Sequence, residues 1–166
     1  MLKTIIITVF LVLPYSISNA VLPMNLDNNV KVVMTIEEEI KLRLLLADTI
    51  SDFVSELIIA QAKHESGNFK NSLTRNYNNI FSRLHSKYDS MSIGNYGYAE
   101  KRTGYAVYKS IDSATISQLQ YFKRKKYSMK WSTVEEFAIE LKQKRYYTDD
   151  INNYIRAMKK HMNSRK

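Results

Sequence analysis

The chain has 166 residues, a formal net charge of +9 and no cysteine. That length suits one domain with a single core, and the lack of cysteine excludes a disulfide scaffold and thiol catalysis. A basic balance of this size expects an acidic partner, such as cell-wall polymer, anionic lipid or nucleic acid.

Residues 1–20, MLKTIIITVFLVLPYSISNA, read as a secretory signal. Lys3 is the charged start, Ile5 to Leu13 the apolar stretch, and Ser18-Asn19-Ala20 a small-x-small cleavage site. The apolar run is short for a bilayer, so the reading expects cleavage near Ala20, a secreted or periplasmic protein and no stable membrane span. Residues 21–34 carry Asn and Asp with little periodicity and read as a flexible lead. The folded domain is expected over 35–166.

Thr35-Ile36-Glu37-Glu38 fits a capping box, in which a hydroxyl and a carboxylate satisfy free amides at a helix start. Ile40, Leu44 and Ala47, then Ile50, Phe53, Val54, Leu57 and Ile58, recur at three and four, the spacing of a buried helical face. Asp48 or Thr49 can divide this stretch into two helices, the second ending near Ser66-Gly67, where glycine supplies a left-handed cap. Asn68 to Tyr88 reads as loop. Tyr96, Tyr98, Tyr105, Val107 and Tyr108, with Gly94, Gly97 and Gly104, predict a β-hairpin turning at residues 100–103. Helices return at Ser113–Lys126, with Ile116, Leu119 and Phe122 on one side, and after the second box, Thr133-x-x-Glu136, with Phe137, Ala138 and Leu141. Thr148 or Asp149 caps a last helix bearing Ile151, Tyr154, Ile155 and Met158. The pattern is α+β, a mostly helical lysozyme-like domain with a small β-hairpin lobe.

The stretch AQAKHESGNFKN (Ala60 to Asn71) sets His64 beside Glu65 at a helix end. A His-Glu-x-x-His zinc helix needs a second imidazole four residues on, and Asn68 stands there, so no metal or other cofactor is implied. No Gly-x-Ser-x-Gly elbow points to a serine nucleophile. A glutamate shielded by apolar neighbours has its charged form disfavoured and can hold a proton near neutral pH for a glycosidic oxygen. Taken alone, Glu65 reads more readily as a solvated helix end.

Ala60-Gln61-Ala62-Lys63-His64-Glu65-Ser66-Gly67 resembles the "AQAxxESGWG" segment of the bacterial peptidoglycan glucosaminidase family of autolysins and flagellar muramidase-like hydrolases. Tyr77-Asn78-Asn79-Ile80-Phe81 is similar to its "NNLFG". Tyr105 to Ser110 with Asp112-Ser113-Ala114 resembles "FRxYxSxxES", and Leu141 to Asp149 the closing "LxxxxYATDP". The resemblance runs from about Ile50 to the last helix. It implies a lysozyme-like fold that cleaves peptidoglycan glycan strands after N-acetylglucosamine. It also implies Glu65 as general acid, Asn79 and Phe81 along the cleft, and Tyr108 and Tyr147 near the sugar. The family's second carboxylate lies in its hairpin lobe, for which Glu100 is the choice and Asp89 the other acid in range. Three departures stand out: Asn68 replaces tryptophan unless Phe69 takes that place, Ser82 replaces glycine, and Asp150 replaces proline.

A lytic transglycosylase shares the single glutamate and the fold, and Glu65-Ser66-x-x-Phe69 also resembles its first segment, but the Gly-Leu-Met-Gln continuation is absent. An inactive wall-binding module is a further reading. Lys123-Arg124-Lys125-Lys126 suits a solvated helix end better than nucleic acid. The expected partners are therefore peptidoglycan and anionic wall polymer, with no nucleic acid, and the expected state is a monomer.

Overall fold

The computed structural model describes residues 34–47, 50–97 and 104–163. The expected signal, the lead up to residue 33, and Glu100 lie outside the described residues. Helix α1 (Ile36–Leu45) opens on the Thr35 capping box: Thr35 Oγ1 accepts from the Glu38 amide at 3.2 Å, and the Thr35 amide donates to Glu38 Oε2 at 2.7 Å.

Ser51 caps α2 (Asp52–Glu65). Nine of its fourteen residues are buried, more than the single face that the spacing predicted, because α1 and α6 (Ile151–Asn163) both pack on it. Leu57 and Ile58 are fully enclosed, each contributing about 1.5–3 kcal/mol by leaving water. Lys63 is buried on the same helix and is matched by Glu37 Oε2 at 2.5 Å.

The segment read as loop contains a short helix, α3 (Ser72–Tyr77). Its sequence, SLTRNY, buries only Thr74, so no apolar period announced it. Asn71 starts it, its side chain accepting from the Thr74 amide at 2.8 Å.

The hairpin pairs β1 (Ser92–Tyr96) antiparallel with β2 (Tyr105–Tyr108), in the register Tyr96 opposite Tyr105 and Ser92 opposite Tyr108, with an irregularity between Ser92 and Gly94. A Cβ at Gly104 would collide with the carbonyl oxygens of Gly97 and Tyr96, so only glycine closes this neck. The chain after Phe81 runs along the free edge of β2: the Ala106 amide donates to the Arg83 carbonyl at 2.9 Å and the His85 amide to the Gly104 carbonyl at 2.7 Å. That pairing ties the hairpin to the segment that leaves the core at Phe81.

Helix α4 (Ile111–Arg124) begins slightly before the predicted start, capped by Ser110. Its buried face carries Ser117 and Gln118, whereas Ile116 and Leu119 are only half-buried. The polar residues go inside because partners wait there: Ser117 Oγ donates to Asp89 Oδ2 at 2.7 Å and Gln118 Nε2 to Gln61 Oε1 at 3.1 Å. Thr133 caps α5 (Val134–Gln143), but Glu136 completes only half of the expected box, turning to the Ser132 amide at 2.7 Å. Asp150, not Thr148 or Asp149, caps α6: its Oδ1 accepts from the amides of Asn152 (2.9 Å) and Asn153 (3.1 Å).

Phe122, Tyr127, Trp131 and Phe137 form an aromatic cluster with ring centres 4.8–6.4 Å apart, within the range where edge-to-face pairs attract. The architecture is the expected α+β, lysozyme-like one, helices around a central buried helix with a two-stranded lobe. Among the described residues no helix is long and apolar enough to cross a membrane.

Candidate active site

Glu65 is the last residue of α2, at the point where helical carbonyls lose their partners. Two loops supply them: Ser82 Oγ donates to the Glu65 carbonyl at 2.8 Å and Asn71 Nδ2 at 3.3 Å. Ser82 sits at φ +48°, a conformation that suits the glycine expected there from the resemblance, and its hydroxyl holds the Glu65 backbone. Ser66 is fully buried and closes the helix, its Oγ donating to the Ala62 carbonyl at 2.5 Å and accepting from the Phe69 amide at 2.8 Å.

The Glu65 side chain lines a cleft of about 580 Å³ shared with Phe81, Arg83, Tyr88, Tyr121 and Tyr146. Removal from water, the one cause at work, pushes its carboxyl up to about 7. It is the only carboxylate lining this cleft among the described residues. Beneath it lies a polar layer. Gln61, one helical turn before Glu65, accepts from Gln118; Gln118 also reaches the Tyr146 hydroxyl at 3.4 Å; and Tyr146 donates to the Phe81 carbonyl at 3.4 Å. Burial first, and then the neighbouring Glu65 charge, hold the Tyr146 and Tyr154 phenols well above their ordinary range. Both therefore stay protonated while Glu65 gains or loses its proton.

Of the residues expected to touch sugar, Phe81 lines the cleft. Asn79 is fully buried and bonds three backbone groups, donating to the carbonyls of Arg83 and Ala106 and accepting from the Arg83 amide, each at 2.9 Å. Tyr108 is 2 % exposed and its hydroxyl donates to Asp89 Oδ2 at 2.8 Å. Tyr147 stacks on Tyr154 with ring centres 3.9 Å apart and donates to the Ala138 carbonyl at 3.0 Å, while its neighbour Tyr146 faces the cleft. Asp89, the other acid in range, is turned inward. Phe69 lines a separate depression with Ile36, Lys41 and Asn68, so it does not supply the missing aromatic wall beside Glu65. The His64 ring meets the edge of Tyr154 at 5.1 Å, and burial lowers its pKa.

Tyr146, Tyr121 and Arg83 escaped the sequence reading. Gln61 had a signal, four residues before the acid on the same helical face. Nothing in Tyr146-Tyr147 says which tyrosine turns to the cleft.

The sequence profile of the family described as glucosaminidase, mannosyl-glycoprotein endo-beta-N-acetylglucosaminidase, matches residues 47–166. The chain belongs to the glucosaminidase family. As a member of it, the protein is a glycoside hydrolase acting on peptidoglycan. In fold it is similar to a chain in the structure of a type VI secretion system effector–immunity complex from Pseudomonas protegens. That likeness has a TM-score of 0.54 at 19 % identity and covers 77 % of this chain and 94 % of that one. No curated protein matches the sequence.

Proposed function

We propose that this glucosaminidase is an exported endo-β-N-acetylglucosaminidase that cuts peptidoglycan strands after N-acetylglucosamine, with Glu65 as general acid. The observation that carries the reading is the carboxyl of Glu65, raised to about 7 by burial at the edge of an open cleft. In that state it holds a proton near neutral pH and delivers it to the glycosidic oxygen as the bond breaks. Phe81 and Tyr146 offer apolar faces to the sugar, and the Asn71 and Ser82 bonds keep the acid from drifting. Asn79, Tyr108 and Tyr147 support the cleft from behind through their bonds to the backbone and to Asp89. Glu100 is the candidate for the second carboxylate, and residues 1–20 are the export signal.

A single carboxylate in the cleft also suits a lytic transglycosylase, and one experiment separates the two. Purified walls are digested with the parent and with Glu65→Gln, and the muropeptides are weighed by mass spectrometry. Reducing N-acetylglucosamine ends from the parent alone support the proposal. Anhydro-muramyl ends identify a transglycosylase, and equal digestion by both proteins removes Glu65 from the chemistry.

A further inference from the structure

Apart from Glu65, the charge in the cleft wall is positive. Arg83, Arg124 and Lys125 all line it, and none of them is paired with a carboxylate among the described residues. Arg83 is only 8 % exposed, a degree of burial at which arginine is ordinarily matched by an acid. Its partners are neutral: Nη1 donates to the Ser117 carbonyl at 3.1 Å and to Gln118 Oε1 at 3.3 Å, and the guanidinium lies 4.2 Å from the centre of the Tyr121 ring. They orient the group and leave its charge unmatched.

Arg124 is restrained as well. Its Nη1 donates to the Tyr88 carbonyl at 2.9 Å, and the guanidinium stands 6.0 Å from the Tyr88 ring and 5.8 Å from the Tyr121 ring. Lys125 is the C-cap of α4, and its carbonyl accepts from Lys144 Nζ at 2.9 Å. Cations gather at helix C-termini for the sake of the dipole, which accounts for Lys123 and Arg124 in the last turn of α4 and suits Lys125 at its cap. It does not account for Arg83, which comes from the segment after Phe81 and reaches the same wall from another part of the chain.

We propose that Arg83, Arg124 and Lys125 form a subsite for a carboxylate appended to the glycan: the free carboxylate of a stem peptide carried on the muramic acid lactyl group. The cleft thereby selects peptide-bearing strands over bare glycan. This specificity rests on the peptidoglycan reading of the site. Charge-assisted bonds from guanidinium to carboxylate are stronger than neutral ones, and a partly enclosed wall weakens their screening by salt. Phosphates of a wall-linked polymer present similar anionic oxygens, so the test must separate the two sources.

The test compares kcat/KM of the full chain on peptidoglycan freed of phosphate-containing polymers with kcat/KM on the same material after an amidase has removed the stems. The parent is expected to favour the stem-bearing glycan about tenfold. In Arg124→Gln/Lys125→Gln that ratio should fall toward one, and added salt should lower it in the parent. A ratio near one in the parent, or one unchanged in the double variant, overturns the subsite. So does a parent that responds only when the phosphate polymer is restored. If the parent cleaves neither glycan, the hydrolase reading fails instead. Sedimentation of Glu65→Gln with the two glycans then reads the subsite by binding: preferential retention on stem-bearing material supports it, and equal retention overturns it.

Discussion

Asp89 and Glu65 are both drawn out of water, and they differ in what meets them there. Asp89 is 6 % exposed and accepts from the Tyr108 hydroxyl (2.8 Å), the Ser117 hydroxyl (2.7 Å) and the Met91 amide (3.2 Å). Those bonds join the hairpin lobe to α4. Glu65 has its backbone carbonyl tied by Ser82 and Asn71, while burial acts on its carboxyl without compensation. A buried acid supplied with donors holds a fold together. A buried acid denied them, at the edge of a cleft, has its proton affinity tuned for transfer.

Exchanging the two acids for amides gives the largest expected contrast. Glu65→Gln should lower the release of reducing ends from purified walls by about 10²–10⁴-fold, with an unchanged far-ultraviolet dichroism spectrum. Asp89→Asn should keep activity per folded molecule within about tenfold of the parent, since losing a structural hydrogen bond acts on stability first. Comparable losses in both would erase the distinction. In the parent, kcat/KM should fall as pH rises through about 7, where Glu65 gives up the proton that it has to donate. An activity that is flat from pH 6 to 8.5 would contradict the acid role.

Stability should carry the same contrast at smaller size. The Glu65 carboxyl stands at about 7 in the folded protein against an ordinary value of 4.5, so the folded state holds this proton more tightly than the unfolded chain. Its contribution is therefore fully present below about pH 4.5 and is lost as pH rises toward 7. Glu65→Gln lacks that slope. It should be more stable than the parent by about 2–3 kcal/mol at pH 8 relative to the difference between the two proteins at pH 4, as read from urea midpoints. Asp89→Ala should move the other way, losing about 1–3 kcal/mol at neutral pH because the Tyr108 and Ser117 hydroxyls lose their acceptor. Tyr146→Phe removes two long hydrogen bonds of 3.4 Å. It should cost about 1 kcal/mol or less in thermal denaturation and change kcat/KM by less than about tenfold.

The sequence carried those parts of the fold that have a local cause. Thr35 and Ser66-Gly67 mark helix ends because caps are made within a few residues, and the Phe137, Ala138 and Leu141 spacing returns as a fully buried face. Helix α3 stayed hidden since most of its residues remain outside the core. The polar face of α4 stayed hidden for the opposite reason: Ser117 and Gln118 look like surface residues until Asp89 and Gln61, distant in sequence, arrive to bond them. Within the site, the segment around Glu65 was legible as a motif, and its environment was not. Which of two adjacent tyrosines faces a cleft, and whether an arginine after Phe81 folds inward, depend on long-range packing.

Gly67, Asn68 and Phe69 follow Glu65 with φ of +58°, +59° and +64°. Three successive residues of left-handed backbone cannot be absorbed into a right-handed coil, and Phe69 in particular resists that conformation. The outlet of α2 is thus fixed by handedness rather than by length. Sequence drift upstream can move where α2 begins, yet Glu65 keeps its place as the last helical residue, one cap residue, Ser66, before the reversal. Asn68, standing where the related segment has tryptophan, is among the side chains most at ease in such a turn. Where the related segment has an aromatic wall, this chain has a rigid stop one cap residue beyond Glu65.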